Sequence, residues 1–191
     1  VDWDVKDTWK VLAKDEDIHV RLTMLGDFRE VALADGVPPQ NKPGNPKSLR
    51  YMIAQRSGEN LDSLFTSVIE PYKQERFIHS VTSAEVTRNG NPANDSDVKA
   101  IKITLKNGRT DYIISALHSD ITYIIDGKIE FQGFFGVYSE HNGHPVYGYV
   151  NDGTLIGPVG KPLASLPSGL LHGTVADFTR ELSLQNEIIV N

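Results

Sequence analysis

His141-Asn142-Gly143-His144 sets two imidazoles three residues apart around a turn dipeptide, a spacing that can clamp one metal ion. Glu140 stands beside it, yet no cysteine and no carboxylate cluster completes a four-ligand set, and a solvated turn is the competing reading. Asp95-Ser96-Asp97, after Asn91-Pro92-Ala93-Asn94, has the oxygen-rich composition of a calcium loop. It lacks the central glycine and terminal glutamate of an EF-hand, so the only cofactor to expect is a structural calcium ion in an irregular edge loop, with a simple polar turn as the alternative. His19, His79, His118 and His172 are isolated in sequence. There is no Gly-x-Ser-x-Gly elbow and no glycine-rich loop for a phosphate. The strongest binding signal is aromatic. Trp3 and Trp9 stand among Asp2, Asp4, Lys6, Asp7 and Lys10, while Tyr138, Tyr147 and Tyr149 flank the turn at 140–144. Tyr147 and Tyr149 share a strand face, because side chains alternate along a strand. Flat rings stack on the C–H faces of sugars, and Asn, Gln, Lys and Arg bind the hydroxyls and carboxylates. These five aromatics are the candidate carbohydrate contacts, against core packing as the plain alternative.

Positioning them falls to strands. Asp35-Gly36, Asn89-Gly90, Asn107-Gly108, Asp126-Gly127, Asn142-Gly143 and Asp152-Gly153 recur along the chain. Such pairs tolerate left-handed φ and favour tight hairpins. Between them lie β-type runs at 9–13, 18–25, 29–34, 49–56, 61–70, 77–87, 98–105, 112–117, 121–125, 128–132, 133–139 and 146–149. The clearest hairpin joins 98–105 to 110–116, because Ile101, Ile103 and Leu105 alternate with Lys102 and Thr104. Pro71 should end the run at 61–70. No window holds a sustained helical period, so the expected fold is an all-β antiparallel sandwich with many hairpins and little or no helix, one domain over 1–191. Asn41 to Pro46 reads as a polar loop, 157–169 as an irregular connection, and 171–190 as a return to strand.

Composition limits the partners. The 191 residues can bury a substantial core, and the absence of cysteine removes disulfides and thiol chemistry. The net charge of −6, with Lys and Arg spread along the chain, disfavours nucleic acid. It opposes an acidic polymer only at long range, since charges are screened beyond about 8 Å in physiological salt. No apolar run is long enough for a membrane helix, so no membrane partner is expected. A chain starting at Val1 and moving at once into a strand suggests a piece of something longer.

One stretch resembles a known family. Ser63 to Ile78, SLFTSVIEPYKQERFI, together with VALADGVPP at 31–39 and YMIAQR at 51–56, is similar to the C-terminal β-sandwich region of heparinase II/III-like polysaccharide lyases, a likeness extending over 3–125. The resemblance implies a secreted or cell-surface bacterial protein whose parent eliminates across uronic acids in acidic polysaccharides such as alginate or glycosaminoglycans. In those relatives the catalytic set lies mostly in a helical toroid that precedes the β region. No residue here matches the family's catalytic Tyr or His motifs, so no catalytic residue is assigned.

The leading expectation is therefore a non-catalytic accessory β-sandwich. It would bind acidic polysaccharide and pack beside the helical catalytic domain of the same parent chain. The alternatives are a purely structural domain, a small stand-alone lyase using a Tyr/His pair, and an unrelated adhesion sandwich.

Overall fold

The computed structural model describes residues 1–7, 10–11, 16–39, 43–166, 175–178 and 188–190. Its described residues are all-β, with antiparallel strand pairs throughout and no helix among them, as the hairpin-dense sequence predicts. The chain divides into two compact units, Val1–Phe77 and Ile78–Asn191.

Among its described residues the first unit holds five strands: β1 (Asp2–Asp4), β2 (Ile18–Leu25), β3 (Glu30–Gly36), β4 (Leu49–Gln55) and β5 (Thr66–Lys73). β1, β2 and β5 form one sheet in that order, and β3 and β4 form a separate hairpin. Pro71 does not end β5 as expected. It lies within the strand opposite Val20, and the strand runs on to Lys73. The reason is position: β5 is an edge, so the proline's missing N–H deprives no further strand. Asp35-Gly36 also departs from expectation, closing β3 in register with Arg50 and Leu49 where a tight turn was predicted.

The second unit is built on one nine-stranded sheet. Its strands are β6 (Ile78–Ser83), β7 (Val86–Arg88), β8 (Asn91–Pro92), β9 (Val98–Leu105), β10 (Arg109–Ala116), β11 (Tyr123–Ile125), β12 (Ile129–His141), β13 (His144–Pro158) and β14 (Ala164–Ser165). A further pair, β15 (Val175–Phe178) with β16 (Ile188–Val190), gives the strand character expected near the C-terminus. The long β12 is the organising strand. One edge of it pairs with β11 through Ile129–Phe131 and with β10 through residues 135–141, and the other edge pairs with β13. β6 pairs β9 on one side, and the chain continues directly into β7, which pairs β11 on the other. The sheet is thereby curled around its own core.

That core follows the two-residue alternation. Val98 and Ala100 of β9, Tyr112 and Ile114 of β10, Tyr123 and Ile125 of β11, Ile129, Phe131 and Tyr138 of β12 and Ile156 of β13 all point inward and are buried. Each large apolar side chain so buried contributes about 1.5–3 kcal/mol. The inward phase of β12 changes between Gly133 and Gly136, and the ladder with β13 skips register between Gln132 and Gly133. Here Asp152-Gly153, expected as a hairpin turn, sits inside β13 with Asp152 at φ 43°. The pair serves a bulge, and a Cβ on Gly153 would lie 2.5 Å from the Gly133 Cα, so the two backbones meet where no side chain fits. Asn89-Gly90, Asp126-Gly127 and Asn142-Gly143 are the expected tight turns, both residues of each pair having positive φ.

Candidate functional site

Outward-facing positions follow from the same register. Tyr147 and Tyr149 of β13 stand opposite Ser139 and Val137 of β12, which stand opposite Asp111 and Ile113 of β10. With Tyr112 and Tyr138 pointing inward, these six residues share the outer face of three adjacent strands. Tyr147 is 51% exposed and Tyr149 44%, so both rings are open to solvent. Residues two apart on a strand lie about 6.6 Å apart, which makes a two-ring platform. Arg109 lies on the same face two residues along β10 from Asp111, two strand spacings, about 10 Å, from β13. Its Nε donates to Asp111 Oδ1 at 2.7 Å and its Nη2 to the buried Ser139 Oγ at 3.4 Å, which fixes the guanidinium on this face. The platform thus offers two aromatic faces and an ion pair, Arg109 with Asp111, on one sheet face, groups that can stack on a sugar ring and hydrogen-bond its hydroxyls.

The other expected contacts lie elsewhere. Tyr138 is only 2% exposed and its ring is tilted against Tyr112 at 6.1 Å, so it is a core residue and its face is closed to a ligand. Trp3 is half-buried in β1, opposite Val20 in the first unit. Trp9 lies outside the described residues, as does His172. His141 and His144 face each other at the mouth of the hairpin, and His141 Nε2 is 3.0 Å from the Asn107 carbonyl oxygen. In the 94–97 loop, Asn94 Oδ1 accepts from the Ser96 N–H and Asp95 is paired with Lys99. No group of three or more potential ligands is arranged to hold a metal among the described residues.

Two clusters escaped sequence reasoning because their members are far apart along the chain. Beneath the second unit's sheet, Asp126 Oδ2 accepts from Lys102 Nζ and from the Tyr112 hydroxyl, each at 3.1 Å, and its Oδ1 accepts from the Glu85 N–H at 2.9 Å. Lys128 donates to Glu140 at 2.6 Å, and both ammonium groups lie over the Tyr112 ring, at 5.5 Å for Lys102 and 5.2 Å for Lys128. Burial pushes the Asp126 carboxyl up, but the Glu85 N–H, Lys102 and Tyr112 together hold it below its ordinary value. Burial also pushes the Tyr112 phenol up to about 12, against the opposing pull of Lys128. A buried phenol of that kind keeps its proton at neutral pH and is unsuited to act as a base. The charges are balanced in pairs, which makes this a structural network closing the core.

In the first unit His19, isolated in sequence, is the centre of a cluster. Its ring stacks on Tyr72 at 4.9 Å, its Nε2 meets Asp17 at 2.9 Å and its Nδ1 meets Asp4 at 3.1 Å. The Tyr72 hydroxyl donates to Asp2 at 2.9 Å, and Arg21 reaches the same carboxylate at 3.4 Å. The hydrogen bond to Asp17, with the charges of Asp17, Asp4 and Asp2, raises the His19 pKa above its ordinary value.

Neither a curated protein nor a solved structure matches the chain. Residues 86–166 match the family described as the endo-acting ulvan lyase C-terminal domain, a polysaccharide lyase domain. That segment runs from β7 to the end of β14 and contains the tyrosine platform, whereas the stretches at 31–39, 51–56 and 63–78 that carry the heparinase-like resemblance precede it. The match supports a C-terminal region of a polysaccharide lyase, and it does not extend to the heparinase II/III-like family.

Proposed function

We propose that this chain is a non-catalytic accessory β domain of a polysaccharide lyase that holds acidic polysaccharide on the Tyr147–Tyr149 face. The observation that carries the reading is the coincidence of two open tyrosine rings and Arg109 on one sheet face inside the segment matched to a lyase C-terminal domain. Trp3 and Trp9 are secondary contacts in this reading. Ulvan joins alginate and glycosaminoglycans as candidate ligands because the matched family is named for an ulvan lyase. The parent is read as a secreted enzyme whose catalytic helical domain lies elsewhere in its chain, and a heparinase II/III-like parent rests on the resemblance at 31–78. Tethering such a module to a catalytic domain raises the local concentration of the polymer without adding chemistry, so weak binding suffices.

The stacked His19–Tyr72 pair is the feature that favours a stand-alone lyase as a second reading. The same experiment separates the two. The 191-residue protein is run by affinity electrophoresis through gels containing ulvan, alginate, heparin, chondroitin or hyaluronan, and matching mixtures are followed for the ultraviolet absorbance of an unsaturated product. Retardation without absorbance, relieved by Tyr147→Ala and Tyr149→Ala, is the expected result. Rising absorbance abolished by His19→Gln would establish a lyase. Neither signal on folded protein would leave a purely structural role.

A further inference from the structure

At the open end of the β3–β4 hairpin, a pocket of about 120 Å³ is lined by Asp27, Arg29, Arg56, Ser57 and Leu61. The register explains the pair of arginines. Glu30 is paired with Gln55, so Arg29 and Arg56 occupy the next facing positions, and the Arg29 N–H still donates to the Gln55 carbonyl at 2.9 Å. Each guanidinium is steered by a neutral oxygen: Arg29 Nη1 donates to Ser57 Oγ at 2.6 Å and Arg56 Nη1 to the Asp62 carbonyl at 2.7 Å. Neither has a carboxylate within ion-pair distance among the described residues. That sets them apart from Arg21, Arg50, Arg76 and Arg109, which are paired with Asp2, Asp35, Glu70 and Asp111. In an acidic chain, two arginines that share one concavity with the single carboxylate of Asp27 and form no ion pair have donors to spare, since a guanidinium carries five N–H groups.

We infer that this pocket is an anion site for one singly charged oxyanion group, a carboxylate or a sulfate ester, pendant on a saccharide. Charge and size set the class. Two guanidinium groups and the Asp27 carboxylate leave a single net positive charge, which suits a monoanion over a phosphate dianion. With about 120 Å³ open to the centres of water-sized groups, the pocket admits an oxyanion head. Arginine's fork binds planar or tetrahedral oxyanions through paired N–H donors, and the exposure of the pocket keeps the affinity low. That the anion belongs to a saccharide rests on the function proposed above; the pocket's preference for a monoanion does not.

The test is a titration of the arginine Nε–Hε resonances of the intact chain with sodium glucuronate, with methyl sulfate, and with sodium chloride for ionic strength. Saturable shifts at Arg29 and Arg56, with Arg50 and Arg76 unmoved, are expected in the millimolar range. Arg56→Gln should remove saturation at Arg29, and Asp27→Asn should tighten binding several-fold. A response to glucuronate alone assigns a carboxylate, and one to methyl sulfate alone a sulfate ester. Shifts that track chloride at every arginine, or no shift with either anion, would overturn the site. If the anions bind but Arg56→Gln leaves polysaccharide retardation intact, the saccharide source of the group is wrong while the tyrosine platform stands.

Discussion

Tyr138, Tyr147 and Tyr149 show how the same residue type takes opposite roles within one hairpin. Truncating Tyr138 removes a ring packed in the core, so Tyr138→Ala is expected to cost about 3–5 kcal/mol in denaturant unfolding. Tyr147→Ala and Tyr149→Ala, on exposed rings, are expected to stay within about 0.5 kcal/mol of the parent while lowering polysaccharide retardation. A core-sized loss from either outer tyrosine would mean that the platform is a packing surface. Sequence alternation pairs Tyr147 with Tyr149 correctly, but it cannot say which face of a sheet is wet, because that is decided by strands far away in the chain. Tyr112 carries a second residue-scale expectation. Its folded pKa, raised by burial from 10.0 to about 12, favours the protonated form in the native state. Its stabilisation is therefore complete below pH 10 and is lost as the pH rises toward the folded value. Tyr112→Phe should flatten that alkaline decline, measured as the unfolding midpoint against pH.

Among the elements, β1 is held to β2 and β5 by a clamp that titrates. His19 bridges Asp4 of β1 and Asp17 while lying against Tyr72 of β5, and its pKa is raised. A raised histidine value means that the folded state binds the proton more tightly. The clamp's contribution is fully present below pH 6.5 and fades as the pH climbs through the elevated folded value. The melting temperature should fall over that window, and His19→Gln should remove the slope. A wild-type curve that is level across it would show that the clamp carries no stability. Nothing in the sequence around His19 signals this, because Asp2 and Tyr72 are distant in the chain. The turn dipeptides were more legible, and three Asn-Gly or Asp-Gly pairs form the tight turns expected. Asp152-Gly153 was misread because positive φ serves a bulge as well as a turn, and the close approach of Gly133 that distinguishes them is a tertiary fact. Pro71 was misread for a similar reason, since only sheet order shows that β5 is an edge.

For the whole molecule, the all-β class was readable from alternation and turn spacing, whereas the division at Phe77 and Ile78 was not. The heparinase-like stretch 63–78 ends on that division, and the matched segment 86–166 lies wholly beyond it. Two units with separate sheets are expected to unfold as two calorimetric transitions. Tyr138→Ala should lower one of them and His19→Gln the other, so a single transition shifted by both would show that the units unfold cooperatively.

The central place of β12 sets an order of events in time. β6, β7, β9, β10 and β11 cannot complete a curled sheet until β12 supplies the shared edge, so chain emerging from the ribosome before residue 141 carries unpaired edges and exposed aliphatic side chains. β12 and β13 are joined by a two-residue turn, and their pairing closes the shortest loop of any long strand pair in this unit. The β9–β10 hairpin, joined by three residues, is nearly as local, and the β12–β13 hairpin is the one that synthesis reaches late. Folding of the second unit waits on its own C-terminal half, and the interval before that is when the nascent chain is open to aggregation.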